Sequence, residues 1–202
     1  TYAKDLTLRY PVRIFFDGDR LRFHFSNITG EEPITISEVT VSLAIDDRSI
    51  DTCSIKNILF DGSKSVVIEP GCQIVSDEVL FQVERGMELA VSIYLGEYTQ
   101  MNSGVLATGP LSKGFFSYGN YTRSSKLPLD KTRSTNWFYF LDTIDVLTAE
   151  NNHAIICYGD SITAQDWPDY LMLRTYDEKI DNVSIIRRAI SGTRILREYN
   201  CI

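Results

Sequence analysis

Ser161 is the residue whose type and setting could do chemistry. It follows Gly159-Asp160 at the end of the apolar run Ala154-Ile155-Ile156-Cys157-Tyr158 and precedes a helix-like segment. A serine hydroxyl so placed attacks a carbonyl when a base takes its proton and N–H groups receive the developing negative charge. A second glycine turn, Ala189-Ile190-Ser191-Gly192, offers such an N–H if it reaches the same edge. The plain alternative for Ser161 is a turn or cap serine held by local hydrogen bonds. A base is harder to find, because the chain has only two histidines. His153 precedes the run that Ser161 follows, which separates them by about 25 Å at strand spacing. His24 alternates with Leu21, Phe23 and Phe25, so it falls with Arg22 on the solvated face of its strand.

The elements that must position Ser161 and Gly192 read as strand, helix, strand. Five apolar residues without alternation predict a strand buried on both faces, as in a parallel sheet. Gly159 lets the backbone turn sharply after it. Asp160 reads as structural, holding that turn by hydrogen bonds. Asp166-Trp167-Pro168 predicts a helix start, with Asp as N-cap and Pro in the first turn. Trp167, Tyr170, Leu171 and Leu173 then supply its apolar face, up to about Glu178. Val183-Ser184-Ile185-Ile186 is the next strand. A right-handed crossover makes the two strands parallel neighbours or near neighbours, so that Ser161 and Gly192 can face one pocket.

Gly159-Asp160-Ser161-Ile162-Thr163 and Ala189-Ile190-Ser191-Gly192 resemble the first two motifs of the SGNH (GDSL-type) esterase family. The resemblance implies that Ser161 is the nucleophile of a serine esterase working through an acyl-enzyme. It gives the oxyanion hole to the N–H groups of Ser161 and Gly192 and to a later asparagine. It makes the base a histidine three residues after an aspartate. It also implies an α/β flavodoxin-like three-layer hydrolase domain, of which residues 153–202 would be the opening part. The asparagine and the Asp-x-x-His are not in this chain, and two parallel strands cannot bury both faces of a sheet. The expectation is therefore the amino-terminal portion of a longer enzyme, inactive alone and completed by its carboxyl-terminal part or by another chain. Thr1 in place of Met suggests that the start has been removed by processing. No cofactor or metal is implied.

Residues 1–125 read as an antiparallel β-sandwich of jelly-roll type. Val12, Ile14 and Phe16 alternate before Asp17-Gly18-Asp19 and Leu21, Phe23 and Phe25 after it, which signals a β-hairpin. Alternating runs follow at 34–45, 65–68, 74–83 and 89–95, punctuated by Asp61-Gly62, Pro70-Gly71 and Gly86. Arg22-Phe23-His24-Phe25-Ser26-Asn27, Pro70-Gly71 and Tyr118-Gly119-Asn120 resemble the amino-terminal sandwich of one branch of the same family. Residues 126–152 read as linker and connecting strand, and Gly114 to Tyr121 as a sugar-stacking platform or an interdomain seam. With a sandwich attached, the substrate guess is an acetyl or acyl ester of a saccharide. The alternative function is a carbohydrate-binding sandwich carrying a vestigial hydrolase unit.

The composition narrows the partners. The 202 residues carry a formal net charge of −7 and no Lys/Arg cluster, which argues against nucleic acid and anionic membranes. No apolar run nears the roughly 20 residues of a membrane span. Cys53, Cys72, Cys157 and Cys201 lack C-x-x-C spacing. Cys157 reads as a core residue, and Cys53 and Cys72 as a disulfide only if the protein is secreted. No G-x-G-x-x-G or P-loop motif follows the strand, so a nucleotide site is not indicated.

Overall fold

The computed structural model describes residues 1–194 and 196. Its first strands are β1 (Tyr2–Ala3), β2 (Leu6–Arg13), β3 (Gly18–Ser26), β4 (Ile34–Ile36), β5 (Glu38–Leu43), β6 (Lys56–Ile58), β7 (Val66–Ile68), β8 (Gln73–Val75) and β9 (Val79–Val83). Then come β10 (Glu88–Leu95), β11 (Thr99–Gln100), β12 (Gly104–Leu106), β13 (Gly114–Tyr118), β14 (Arg133–Thr135), β15 (Trp137–Tyr139) and β16 (Leu141–Val146). The chain continues with β17 (His153–Gly159), helix α1 (Trp167–Asp177) and β18 (Val183–Ala189).

A six-stranded sheet runs β14-β13-β2-β10-β5-β6, and a four-stranded one runs β16-β3-β8 with β9 also on β3. Their pairs are antiparallel. Apolar residues at alternate positions give both sheets one shared core. Tyr10, Val91 and Ile93 enter it from one sheet and Leu21, Phe23 and Phe25 from the other, each 1% exposed or less. Burial of such a side chain stabilises by about 1.5–3 kcal/mol.

The fold class differs from the sequence expectation. A jelly-roll-like sandwich followed by the start of a flavodoxin-like three-layer α/β domain does not describe this chain. The described residues are mostly strand, in several antiparallel sheets, with one α-helix and a single two-stranded parallel sheet, β17-β18. No third layer covers that pair among the described residues, and Ile156 (60%) and Tyr158 (80%) stand exposed rather than buried on both faces.

The expected hairpin about Asp17-Gly18 is also absent, because β2 and β3 belong to different sheets. Gly18 serves close approach rather than a left-handed turn. A Cβ there would lie 2.4 Å from the Leu147 carbonyl oxygen. Residues 126–152 supply β14, β15 and β16, which pair with β13, β12 and β3 respectively. Gly114 to Tyr118 is a strand of the larger sheet, with Phe115 buried and the Arg48 guanidinium 5.0 Å from its ring centroid.

Helix α1 buries a different face from the one its large apolar residues suggest. Pro168, Asp169, Met172 and Thr175 are buried, whereas Trp167, Tyr170 and Leu171 are exposed. Asp166 makes no side-chain capping bond. The helix is fastened to the sheets at both ends. Near its end the Arg85 guanidinium lies 4.8 Å from the Tyr176 ring centroid and donates to the Ile180 carbonyl at 2.8 Å. At its start Asp169 Oδ2 accepts from the Leu111 N–H and the Ser112 hydroxyl, at 2.9 and 3.0 Å.

Candidate functional site

β17 and β18 pair in parallel with His153 opposite Val183 and Gly159 opposite Ala189. Their carboxyl ends therefore meet at one edge, and the two glycine turns leave from it. Gly159 cannot carry a side chain without displacing Thr163, whose Oγ1 would be 2.4 Å from the added Cβ. Asp160 Oδ1 accepts from the Ile162 N–H at 3.0 Å, and its carbonyl accepts from the Ala164 N–H at 2.9 Å. These bonds shape the turn that holds Ser161, which is exposed.

On the second strand the Ile190 N–H donates to the Gly159 carbonyl at 3.2 Å, joining the two turns. Gly192 has φ +89°, the left-handed region that favours glycine. The Thr193 hydroxyl donates to the Ile190 carbonyl at 2.8 Å and closes the loop. The strand register thus brings the turns of Ser161 and Gly192 to one sheet edge, with Gly159 and Asp160 beneath.

Neither histidine joins them. His153 opens β17, six strand steps or about 20 Å from Gly159. His24 sits on β3, with Nε2 2.7 Å from Asp145 Oδ2 of β16. Cys157 is buried on the inner side of β17, and burial pushes its thiol pKa up. Cys53 and Cys72 are free and exposed; Cys201 lies outside the described residues.

A cleft of about 540 Å³ lies at this edge, with Gly159, Ala189, Ile190 and Thr193 on one wall. Gln73 of β8 and the loop residues Thr29 and Ser103 line the other. Ser161 and Gly192 stand beside the cleft rather than among its walls. Sequence reading missed Arg188, which also lines the cleft and binds Asp142 and Thr143 of β16. Two consecutive arginines inside an apolar strand, Arg187-Arg188, were the available signal. Among the described residues no group of three or more His, Cys, Asp or Glu could hold a metal, and no helix is long and apolar enough to cross a membrane.

No protein-family model matches this chain, and no curated protein matches its sequence.

Proposed function

We propose that Ser161 is the nucleophile of an ester hydrolysis, with the N–H groups of Ser161 and Gly192 as oxyanion donors. The observation that carries this reading is the register of β17 on β18, which sets Gly159 opposite Ala189 and so both turns at one edge. The likeness of the two motifs to SGNH hydrolases supports it. In the reaction the Ser161 hydroxyl adds to the ester carbonyl while a base takes its proton. Collapse of the tetrahedral adduct breaks the bond to the alcohol oxygen, which leaves with that proton. Water then attacks the acyl-serine and regenerates the hydroxyl. Neither His24 nor His153 is placed to act as that base.

The open edge allows a direct test with imidazole as that base. Incubation with imidazole and 4-nitrophenyl acetate should give an acetyl adduct that peptide mass spectrometry assigns to Ser161. The adduct should be absent in Ser161→Ala. Acetylation spread over surface lysines, with none on Ser161, sinks the reading.

A second reading, carbohydrate binding by the antiparallel sheets, is favoured by one exposed stack. The Tyr2 and Tyr98 rings lie 4.7 Å apart at 14°, Tyr98 is 69% exposed, and Tyr2 donates to Glu32 at 2.7 Å. Flat exposed rings beside carboxylate and amide groups suit the apolar face and hydroxyls of a pyranose. On this reading saccharide binding survives Ser161→Ala and falls at least tenfold in Tyr98→Ala, measured by glycan-array titration. Binding that ignores Tyr98 removes it.

A further inference from the structure

The cleft beside the two glycine turns bears on which esters the site would take. Its volume of about 540 Å³ falls within the ~300–1,000 Å³ of small-molecule sites. Apart from Tyr158, every polar side chain that lines it is already engaged within the protein. Arg188 binds Asp142 and Thr143, and Gln73 donates to Asp142 at 3.4 Å. The Ser103 hydroxyl donates to the Ser26 carbonyl at 3.0 Å and the Thr29 hydroxyl to the Asn102 carbonyl at 2.9 Å. Ser26 Oγ accepts from the Ile28 N–H at 3.3 Å, and Thr193 is bonded to the Ile190 carbonyl. The Arg187 guanidinium donates to the Thr108 carbonyl at 2.9 Å and pairs with Asp169 at 3.1 Å. The charges of the lining are thus spent on protein partners.

What the cleft leaves free is hydrocarbon. Val105, Phe138 and Leu141 line it. Ile28 from the loop after β3, Tyr158 from β17 and Ile190 from the turn after β18 line it too, and all three are exposed. Covering such surface with an aliphatic chain is favourable in proportion to the area. A sugar in the same place would give up hydrogen bonds to water without replacing them. The backbone beside it is held in an uncommon conformation, since Phe140 has φ +65° with its N–H on the Ser103 carbonyl and its carbonyl on the Ser26 N–H. A bulky residue adopts that conformation only where its surroundings impose it, and such positions cluster at ligand sites.

We propose that the cleft holds the acyl chain of the substrate, so that the site prefers esters of medium-chain aliphatic acids to acetate esters. This rests on Ser161 being the nucleophile. The acyl half suits the cleft because it stays bound through both steps. The alcohol departs and water enters between them, and the exposed edge at Ser161 serves that exchange.

The test compares 4-nitrophenyl acetate, butyrate and hexanoate, at equal micromolar concentration with imidazole, as acylating agents of Ser161. Each labelling rate, read by peptide mass spectrometry, is divided by that ester's rate with imidazole alone. The hexanoyl ester should label Ser161 at least tenfold faster than the acetyl ester, where four methylenes buried in full would give about 200-fold. Hexan-1-ol should protect Ser161 from the hexanoyl ester, and methyl β-xylopyranoside should not. Val105→Trp, at an exposed position lining the cleft, should bring the hexanoyl-to-acetyl ratio close to one by filling the space. Ile28→Asp should lower that ratio at least threefold by setting a charge against the chain. Thermal transitions establish that both variants fold. The proposal is overturned if the three esters label within twofold of one another, if the xyloside protects and hexanol does not, or if both folded variants keep the parental ratio. In each of those results Ser161 is still acylated and the esterase reading stands, whereas labelling by none of the three esters ends both.

Discussion

Arg9→Met should destabilise the protein by about 3–5 kcal/mol, the cost of breaking up a buried charged network. Arg9 has no exposed surface, yet it pairs with no carboxylate. Its Nε donates to the Ser92 hydroxyl at 2.9 Å and its Nη1 to the Arg48 carbonyl at 2.9 Å. Its Nη2 donates to the carbonyls of Tyr121 and Ser124, at 2.7 and 3.2 Å. Desolvation draws its pKa down to about 10. Methionine fills much of the same space but leaves the Ser124 carbonyl and the Ser92 hydroxyl without their donor, and the Arg48 and Tyr121 carbonyls with only the Leu127 and Ser124 N–H groups. For a chain of this size the loss lowers Tm by about 10 °C. The 121–124 segment should also loosen, so that trypsin cuts after Arg123 faster in the variant. Urea denaturation and timed proteolysis check both effects, and a stability change below 1 kcal/mol would show that water replaces the guanidinium without loss.

Asp169→Ala should cost a similar amount, about 3–5 kcal/mol, because it strands a largely buried cation. The carboxylate joins three parts of the molecule. It accepts from Leu111 and Ser112 of the loop before β13, lies on α1, and meets Arg187 of β18. Burial pushes its pKa up, against the opposing pull of Arg187 and of the two hydrogen bonds. The pair as a whole is therefore worth less than the loss of either half. Accordingly the double variant Asp169→Leu with Arg187→Met should recover most of the stability that Asp169→Ala loses. Gly109 shares this constraint, since a Cβ on it would stand 2.2 Å from Asp169 Oδ2. Thermal and urea unfolding of the two variants decide the matter. Equal losses in both would mean that the carboxylate matters for its loop contacts and not for Arg187.

The candidate site was more legible than the fold around it. Gly159 and Gly192 are local signals, because one meets Thr163 and the other takes a positive φ, and both pressures act within a few residues. The pairing of β17 with β18 follows from two apolar runs joined by a helix. The hairpin about Asp17-Gly18 failed because Gly18 answers to Leu147, 129 positions away, and alternation carries no record of such a partner. The helix face failed for a related reason. Counting apolar residues picks Trp167, Tyr170 and Leu171, whereas donors from the 111–112 loop and Arg187 make Asp169 the residue worth burying.

By itself the sequence determined the strand periods, the helix start near Trp167 and the glycine turns that bear Ser161 and Gly192, since these depend on neighbours within one or two turns of chain. Tertiary structure alone decided which sheet each strand joined, which face of α1 went inside and which arginines met a carboxylate. Those outcomes rest on partners far apart in the chain, where a single charge pair or a carbonyl in van der Waals contact outweighs the local pattern.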